Sequence, residues 1–179
     1  MPAPLSIIIP TLNAASDLPE CLQALMPGLE LGLIREVIVS DGGSDDATPR
    51  IAGDTGATWI TGASGRGAQL AAGADTARGD WLLFLHADTY LSPDWAERAA
   101  HHMERRAESA AAFTLRYRSD DRAARWLEAR ANRRARMFGL PYGDQGLLIS
   151  RKLYDAVGGF ADVPLMEDVM IARALGKKR

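Results

Sequence analysis

Short apolar runs alternate with helix-length segments along most of this chain, and that alternation narrows the fold more than any other feature. Residues 5–10, 35–40, 58–61 and 81–86 are strand-sized and rich in Ile, Val, Leu and aromatics. Between them, residues 17–26, 45–55 and 68–77 are bounded by Gly, Pro or small polar residues and are predicted as helices. Strands buried on both faces and joined by helices make βαβ crossovers, so the expected fold is α/β with a mainly parallel sheet flanked by helices. Crossovers of the usual hand bring the strand C-termini to one edge. Ligand-binding residues are therefore expected after Pro10, Ser40 and Leu85.

The second half departs from this pattern. Residues 93–108 predict a helix, 110–117 a strand, 143–150 a turn with a short apolar run, and 166–175 a last helix. The predicted helix over 121–137 is basic: Arg122, Arg125, Arg130, Arg133, Arg134 and Arg136 oppose Glu128 and the opening Asp121. Ala123, Trp126, Leu127, Ala131 and Phe138 fall near helical spacing, which reads as a solvated helix packed on the domain or as a basic surface for anionic lipid. At 179 residues the chain is expected to be a single domain. The 21 Lys and Arg against 23 Asp and Glu argue against nucleic acid as a partner, and no aromatic stacking platform accompanies the basic segment. The lone cysteine, Cys21, excludes an internal disulfide and reads as buried packing. The apolar runs fall far short of the ~20 residues of a membrane helix, and no signal peptide is evident, so a cytoplasmic location is expected.

The polar residues at the predicted edge carry the chemistry. The strand Trp81-Leu82-Leu83-Phe84-Leu85 runs into His86-Ala87-Asp88; continued strand alternation would point His86 and Asp88 to one face. Asp88 there suits a Mg²⁺ or Mn²⁺ ion that holds a diphosphate, or a plain turn cap. Asp41-Gly42-Gly43-Ser44 follows another strand, with Asp41 as an acceptor for base or ribose donors and Ser44 as an N-cap for the next helix. A ligand-free strand-turn-helix would use the same residues. Pro10, Thr11 and Asn13 fit either a nucleoside contact or an ordinary turn. Gly65-Arg66-Gly67-Ala68-Gln69 opens a helix, where Arg66 favours a phosphate, but it is no dinucleotide fingerprint because Leu70 stands at the third glycine position. Gly73 reads as a packing position. Glu167 and Asp168 begin the last helix, either favoured by its dipole or including a general base. Tyr142-Gly143-Asp144-Gln145-Gly146 is a glycine-flanked turn whose Asp144 and Gln145 suit an acceptor pocket.

Taken in order, Ile-Pro-Thr-Leu-Asn, Ser-Asp-Gly-Gly-Ser-Asp-Asp, His-Ala-Asp, Gly-Asp-Gln-Gly and Glu-Asp resemble the family-2 inverting glycosyltransferases of the GT-A fold. The likeness spans Ser6 to about Leu175 and is nearest to small bacterial members with His-Ala-Asp in place of Asp-x-Asp. The resemblance implies a Rossmann-like nucleotide-diphospho-sugar transferase, with residues 1–90 as the nucleotide-binding half and 91–179 as the acceptor-side half. It implies that Thr11, Asn13 and Asp41 serve the nucleoside, with Pro10, Gly42 and Ala87 beside them and Arg66 at the phosphates. Asp88 would coordinate a divalent cation, with His86 as a second ligand or a ribose contact; Asp168 would be the catalytic base and Glu167 its support, with Asp144 and Gln145 toward the acceptor.

The expected reaction is metal-assisted transfer with inversion, from a nucleoside diphosphate sugar (a UDP-sugar favoured) to an acceptor hydroxyl, with lipid-linked acceptors at the inner membrane face among the candidates. The family usually continues past the Glu-Asp helix, so this chain is expected to be C-terminally shortened. A nucleotide-sugar-binding protein with little transfer activity is the alternative. A nucleotidyltransferase is disfavoured because no Gly-rich loop with Arg and Lys follows the first strand, and a dinucleotide-binding dehydrogenase because the glycine pattern fails.

Overall fold

The computed structural model describes residues 3–62, 65–139, 141, 143–161, 163 and 166–176, with only the backbone of Phe138. Tyr142, Pro164 and Leu165, singled out in the sequence motifs, lie outside the described residues, as does the Phe138 side chain. Strands β1 (Leu5–Thr11), β2 (Ile34–Asp41), β3 (Thr58–Thr61), β4 (Trp81–Phe84) and β5 (Leu147–Ser150) form one sheet in the order β3-β2-β1-β4-β5. The first four are parallel, and β5 runs antiparallel to β4. The helices are α1 (Leu18–Ala24), α2 (Met26–Glu30), α3 (Thr48–Asp54), α4 (Arg66–Thr76), α5 (Trp95–Arg105), α6 (Arg122–Phe138), α7 (Arg151–Ala156) and α8 (Glu167–Leu175).

Strand alternation explains the layering. Ile7 and Ile9 face one side of β1 and Ile8 the other, and all three are fully buried, so β1 needs cover on both faces. Leu18, Cys21 and Trp95 from α1 and α5 cover one side; Leu70, Tyr154 and Ile171 from α4, α7 and α8 cover the other. Cys21 is buried packing, and burial beside Asp88 pushes its thiol up to about 12.

Several elements differ from the sequence expectation for identifiable reasons. The helix expected over 17–26 breaks at Leu25, because Pro27 in the first turn of α2 has no N–H to continue α1. Ser44 does not cap α3: the helix begins at Thr48, whose N–H donates to Asp46 Oδ1 at 2.9 Å. The apolar run after Gly146 is a sheet strand, and α7 was not anticipated; its N-cap is Ser150, whose hydroxyl accepts from Leu153 N–H. β4 ends at Phe84, and the chain turns with Thr89 N–H donating to His86 O at 3.1 Å. The alternation expected to align His86 with Asp88 therefore stops before either residue.

The strand expected over 110–117 joins the sheet at an isolated bridge, Ala111 to Leu148. Beyond it, hydrogen bonds still leave every second residue, but the partners are mostly side chains. Phe113 N–H donates to Gln145 O, and Gln145 Nε2 returns a bond to Phe113 O. Asn132 brackets Leu115, accepting from its N–H and donating to its carbonyl, both at 2.9 Å. Glu128 accepts from Tyr117 N–H. On α6, Ala131 is buried as expected, whereas Ala123, Trp126 and Leu127 are exposed, so the proposed apolar stripe does not face the core.

Gly73 has the packing role expected of it. A Cβ there would stand 2.4 Å from Ile8 Cγ2, inside the fully buried β1–α4 contact. Gly73→Ala is expected to lose about 1–3 kcal/mol in urea denaturation, the usual range for overpacking. Gly53→Ala on α3, where nothing lies within 4 Å of the added methyl, should be neutral or slightly stabilising.

Candidate active site

The ends of β1 and β2 are built around one carboxylate. Thr11 and Asp41 are register partners, and Thr11 Oγ1 donates to Asp41 Oδ1 at 2.8 Å. Ser44 Oγ donates to the same oxygen at 2.6 Å, while the N–H groups of Gly43 and Ser44 donate to Oδ2. Asp41 is 1% exposed. Burial alone would push its carboxyl upward, but the bonds from Ser44, Thr11 and Gly43 outweigh that and hold it below the ordinary carboxylate value. Its oxygens are thus engaged inside the protein, beneath the loop expected to meet a base.

That loop is zipped to its neighbour. Asn13, at φ 52°, accepts from Asp45 N–H through Oδ1 and donates its own N–H to Ser44 Oγ. Ala14 and Ala15 donate to Thr48 Oγ1 and Asp46 Oδ2. Gln69, quoted in the sequence motif without a role, closes the edge from α4: its Nε2 donates to Thr11 O and Ser40 O, both at 2.7 Å. Gly42 allows this approach, since a Cβ there would lie 3.2 Å from Gln69 Nε2. Pro10 and Ala87 are buried beside this edge.

The other half of the edge gathers His86, Gly143, Glu167 and Asp168 around a cavity of about 30 Å³, walled by Leu70 and Phe84. Glu167 is 1% exposed and pairs with Arg66 Nε across the gap between α8 and α4. Its Oε2 has no hydrogen-bond partner among the described residues. Asp168 accepts from Gly143 N–H through Oδ2 at 2.9 Å and from Val169 N–H through Oδ1 at 2.7 Å. Gly143 packs closely on the imidazole, since a Cβ there would lie 2.6 Å from His86 Nε2. Burial and the nearby Arg66 hold His86 below the ordinary histidine value, against the pull of Asp88, Asp144 and Glu167, so its imidazole is neutral at pH 7.

Asp88 is exposed and opens on a different space, a groove of about 1160 Å³ shared with Tyr90, Arg116, Asp144 and Gln145, large enough for a sugar-sized molecule. Asp144 is pushed above the ordinary carboxylate value by burial and by Asp168, despite His86 and Arg134, and its Oδ1 has no hydrogen-bond partner among the described residues. Gln145 lies at the groove's wall but is 2% exposed, with its amide bound to Phe113 O.

Among the described residues no three His, Cys, Asp or Glu side chains form a metal cage. Asp88 offers an exposed carboxylate of the kind a hard divalent cation takes alongside phosphate oxygens and water, while the His86 imidazole lines the other cavity.

The chain belongs to glycosyl transferase family 2, whose model matches residues 6–161. Solved structures share the GT-A fold. A mannosyltransferase from Pyrobaculum calidifontis, in complex with GDP-Man and Mn²⁺, is 19% identical with a TM-score of 0.71 over 93% of this chain and 50% of its own. TarS from S. aureus, in complex with UDP-GlcNAc, is 17% identical with a TM-score of 0.70 over 97% of this chain and 53% of its own. Glucosyl-3-phosphoglycerate synthase from Mycobacterium tuberculosis, in complex with UDP, is 22% identical with a TM-score of 0.62 over 83% and 57%. The chain thus spans about half the length of these relatives. No curated protein sequence matches.

The Asp41 network gives a pH signature. Its lowered native value means that the stabilisation is fully present above the unfolded carboxylate pKa, about 3.9. It is lost as pH falls through the still lower folded value. Asp41→Asn should therefore be less stable than wild type at neutral pH, with the gap narrowing under acid. Denaturant titrations across pH 7 to about 2.5 measure both curves; a constant gap would remove Asp41 from the pH dependence.

Proposed function

We propose that this chain forms the donor-binding and catalytic core of an enzyme that moves a sugar from a nucleoside diphosphate sugar to an acceptor hydroxyl with inversion. The convergence of His86, Gly143, Glu167 and Asp168 on one cavity carries this reading, because it sets a candidate base beside His86 at the exit of β4. Family membership supports it, as do the fold relatives solved with GDP-Man, UDP-GlcNAc or UDP.

Thr11, Asn13 and Gly42 flank the nucleoside, and Asp41 shapes that pocket from beneath by holding the 41–45 loop. The diphosphate lies toward Arg66 at the start of α4, where a guanidinium and helix N–H groups favour anions. Asp88 would hold a divalent cation, which when bound neutralises charge on the departing diphosphate. Asp168 takes the acceptor hydroxyl's proton. The acceptor oxygen forms its bond to the anomeric carbon on the face opposite the diphosphate, which leaves with the electron pair of the broken C–O bond. The N–H groups of Gly143 and Val169 fix the carboxylate's orientation, and Asp144 lines the acceptor groove.

Base assistance of this kind contributes about 10²–10⁴-fold. Asp168→Asn should lose that much transfer while donor affinity, measured by calorimetry, stays within about twofold; unchanged turnover would take Asp168 out of the chemistry. Asp88→Ala should abolish the tightening of donor binding by Mn²⁺ or Mg²⁺. Metal that still strengthens binding in that variant would mean that the cation is held elsewhere.

A further inference from the structure

Helix α6 presents a face that nothing in the described fold covers. At 3.6 residues per turn, Trp126, Arg130, Arg133 and Met137 fall on one stripe, opposite the buried Glu128, Ala131 and Asn132. Trp126 is 57% exposed, Met137 59%, and Leu127 beside them 49%. Arg122 and Arg136 flank the stripe and are exposed as well. The helix's one acid, Glu128, points inward to Tyr117 N–H and Arg125. The outward face therefore combines large apolar groups with arginines and carries no carboxylate, in a chain whose overall charge is −2.

We propose that this face docks on an anionic lipid bilayer, with α6 lying in the plane of the headgroups. Trp126, Leu127 and Met137 enter the boundary between headgroups and acyl chains, and the surrounding arginines meet lipid phosphates. Charge complementarity selects this partner: a planar array of phosphates satisfies every cation on the stripe at once while admitting the apolar groups between them. The guanidinium of Arg130 lies 4.7 Å from the Trp126 ring centroid, an aromatic–cation pair suited to a wet, anionic boundary. The same helix backs the acceptor groove, where Arg125 joins Asp144 and Gln145 in the lining. Docking through α6 then brings the groove beside the membrane, which deepens the transferase reading by making a membrane-anchored hydroxyl the accessible acceptor class.

Partition of the chain onto sedimented vesicles tests the docking without reference to catalysis. Binding is expected on phosphatidylcholine mixed with phosphatidylglycerol and not on phosphatidylcholine alone, and it should weaken as salt rises. Replacing Arg122, Arg130 and Arg133 together by Gln should lower partition by one to two orders of magnitude, at about fivefold per arginine. Trp126→Ser with Met137→Ser should lower it even at low salt. All five side chains are exposed, so these variants keep the fold. Asp168→Asn should partition like wild type, so failure of the base assignment and failure of the docking are separable. Equal binding to neutral vesicles, no binding by the unmodified chain, or retention by the triple-arginine variant would overturn the proposal. So would a concentration-dependent dimer abolished by Trp126→Ser, which would make a second copy the occupant.

Discussion

Asp41 is a carboxylate withdrawn from water at the end of β2, and the geometry of the ligand edge follows from how its charge is met. A buried carboxylate only accepts, so each group around it must donate: the hydroxyls of Thr11 and Ser44, and the N–H groups of Gly43 and Ser44. Those commitments fix the path of 41–45, and Asn13 takes up a positive φ to lock onto it. The Gln69 amide then uses both its hydrogens on the strand-end carbonyls, Ser40 O and Thr11 O, the latter already accepting from Gly42 N–H. One acid and one amide thus tie two loop entrances into one hydrogen-bonded shelf.

The shelf is linked to the opposite wall through charge. Glu167 is too deeply buried to stand as an unpaired anion, and Arg66 at the head of α4 is its counter-ion. Gly67 keeps α4 close enough for this contact, since a Cβ there would lie 2.5 Å from Ala161 O. Met166, at φ 72°, turns the chain into α8 so that Glu167 is buried and the half-buried Asp168 lines the cavity. In the transferase reading, a diphosphate arriving at Arg66 shares that guanidinium with Glu167, the neighbour of the proposed base. Donor and acceptor sides are then joined through a single cation.

What the sequence made legible was decided by where hydrogen-bond partners come from. The parallel strands were readable because their apolar runs need cover on both faces, and the edge followed from their direction. The end of β4 was not, since Leu85 is as buried as the strand before it and only the backbone turn from His86 to Thr89 stops the alternation. Ser44 was misread as a cap because a serine after two glycines satisfies a helix N–H and a strand-end carboxylate equally well on paper. Gln69 passed without a role because its partners are carbonyls 29 and 58 residues away. Such partners have no local signature.

The same accounting explains why α6 wears its apolar residues outside. The segment after Ala111 leaves the sheet, so the N–H and carbonyl groups of alternate residues need partners. Asn132 and Glu128, one turn apart on α6, with Gln145 from the turn before β5, take the place of a neighbouring strand. A helix that spends its inward face on an amide and a carboxylate cannot also pack Trp126 and Leu127 there. They go to the other side, among the arginines. Inverted amphipathicity is the direct consequence of a helix standing in for a β-strand.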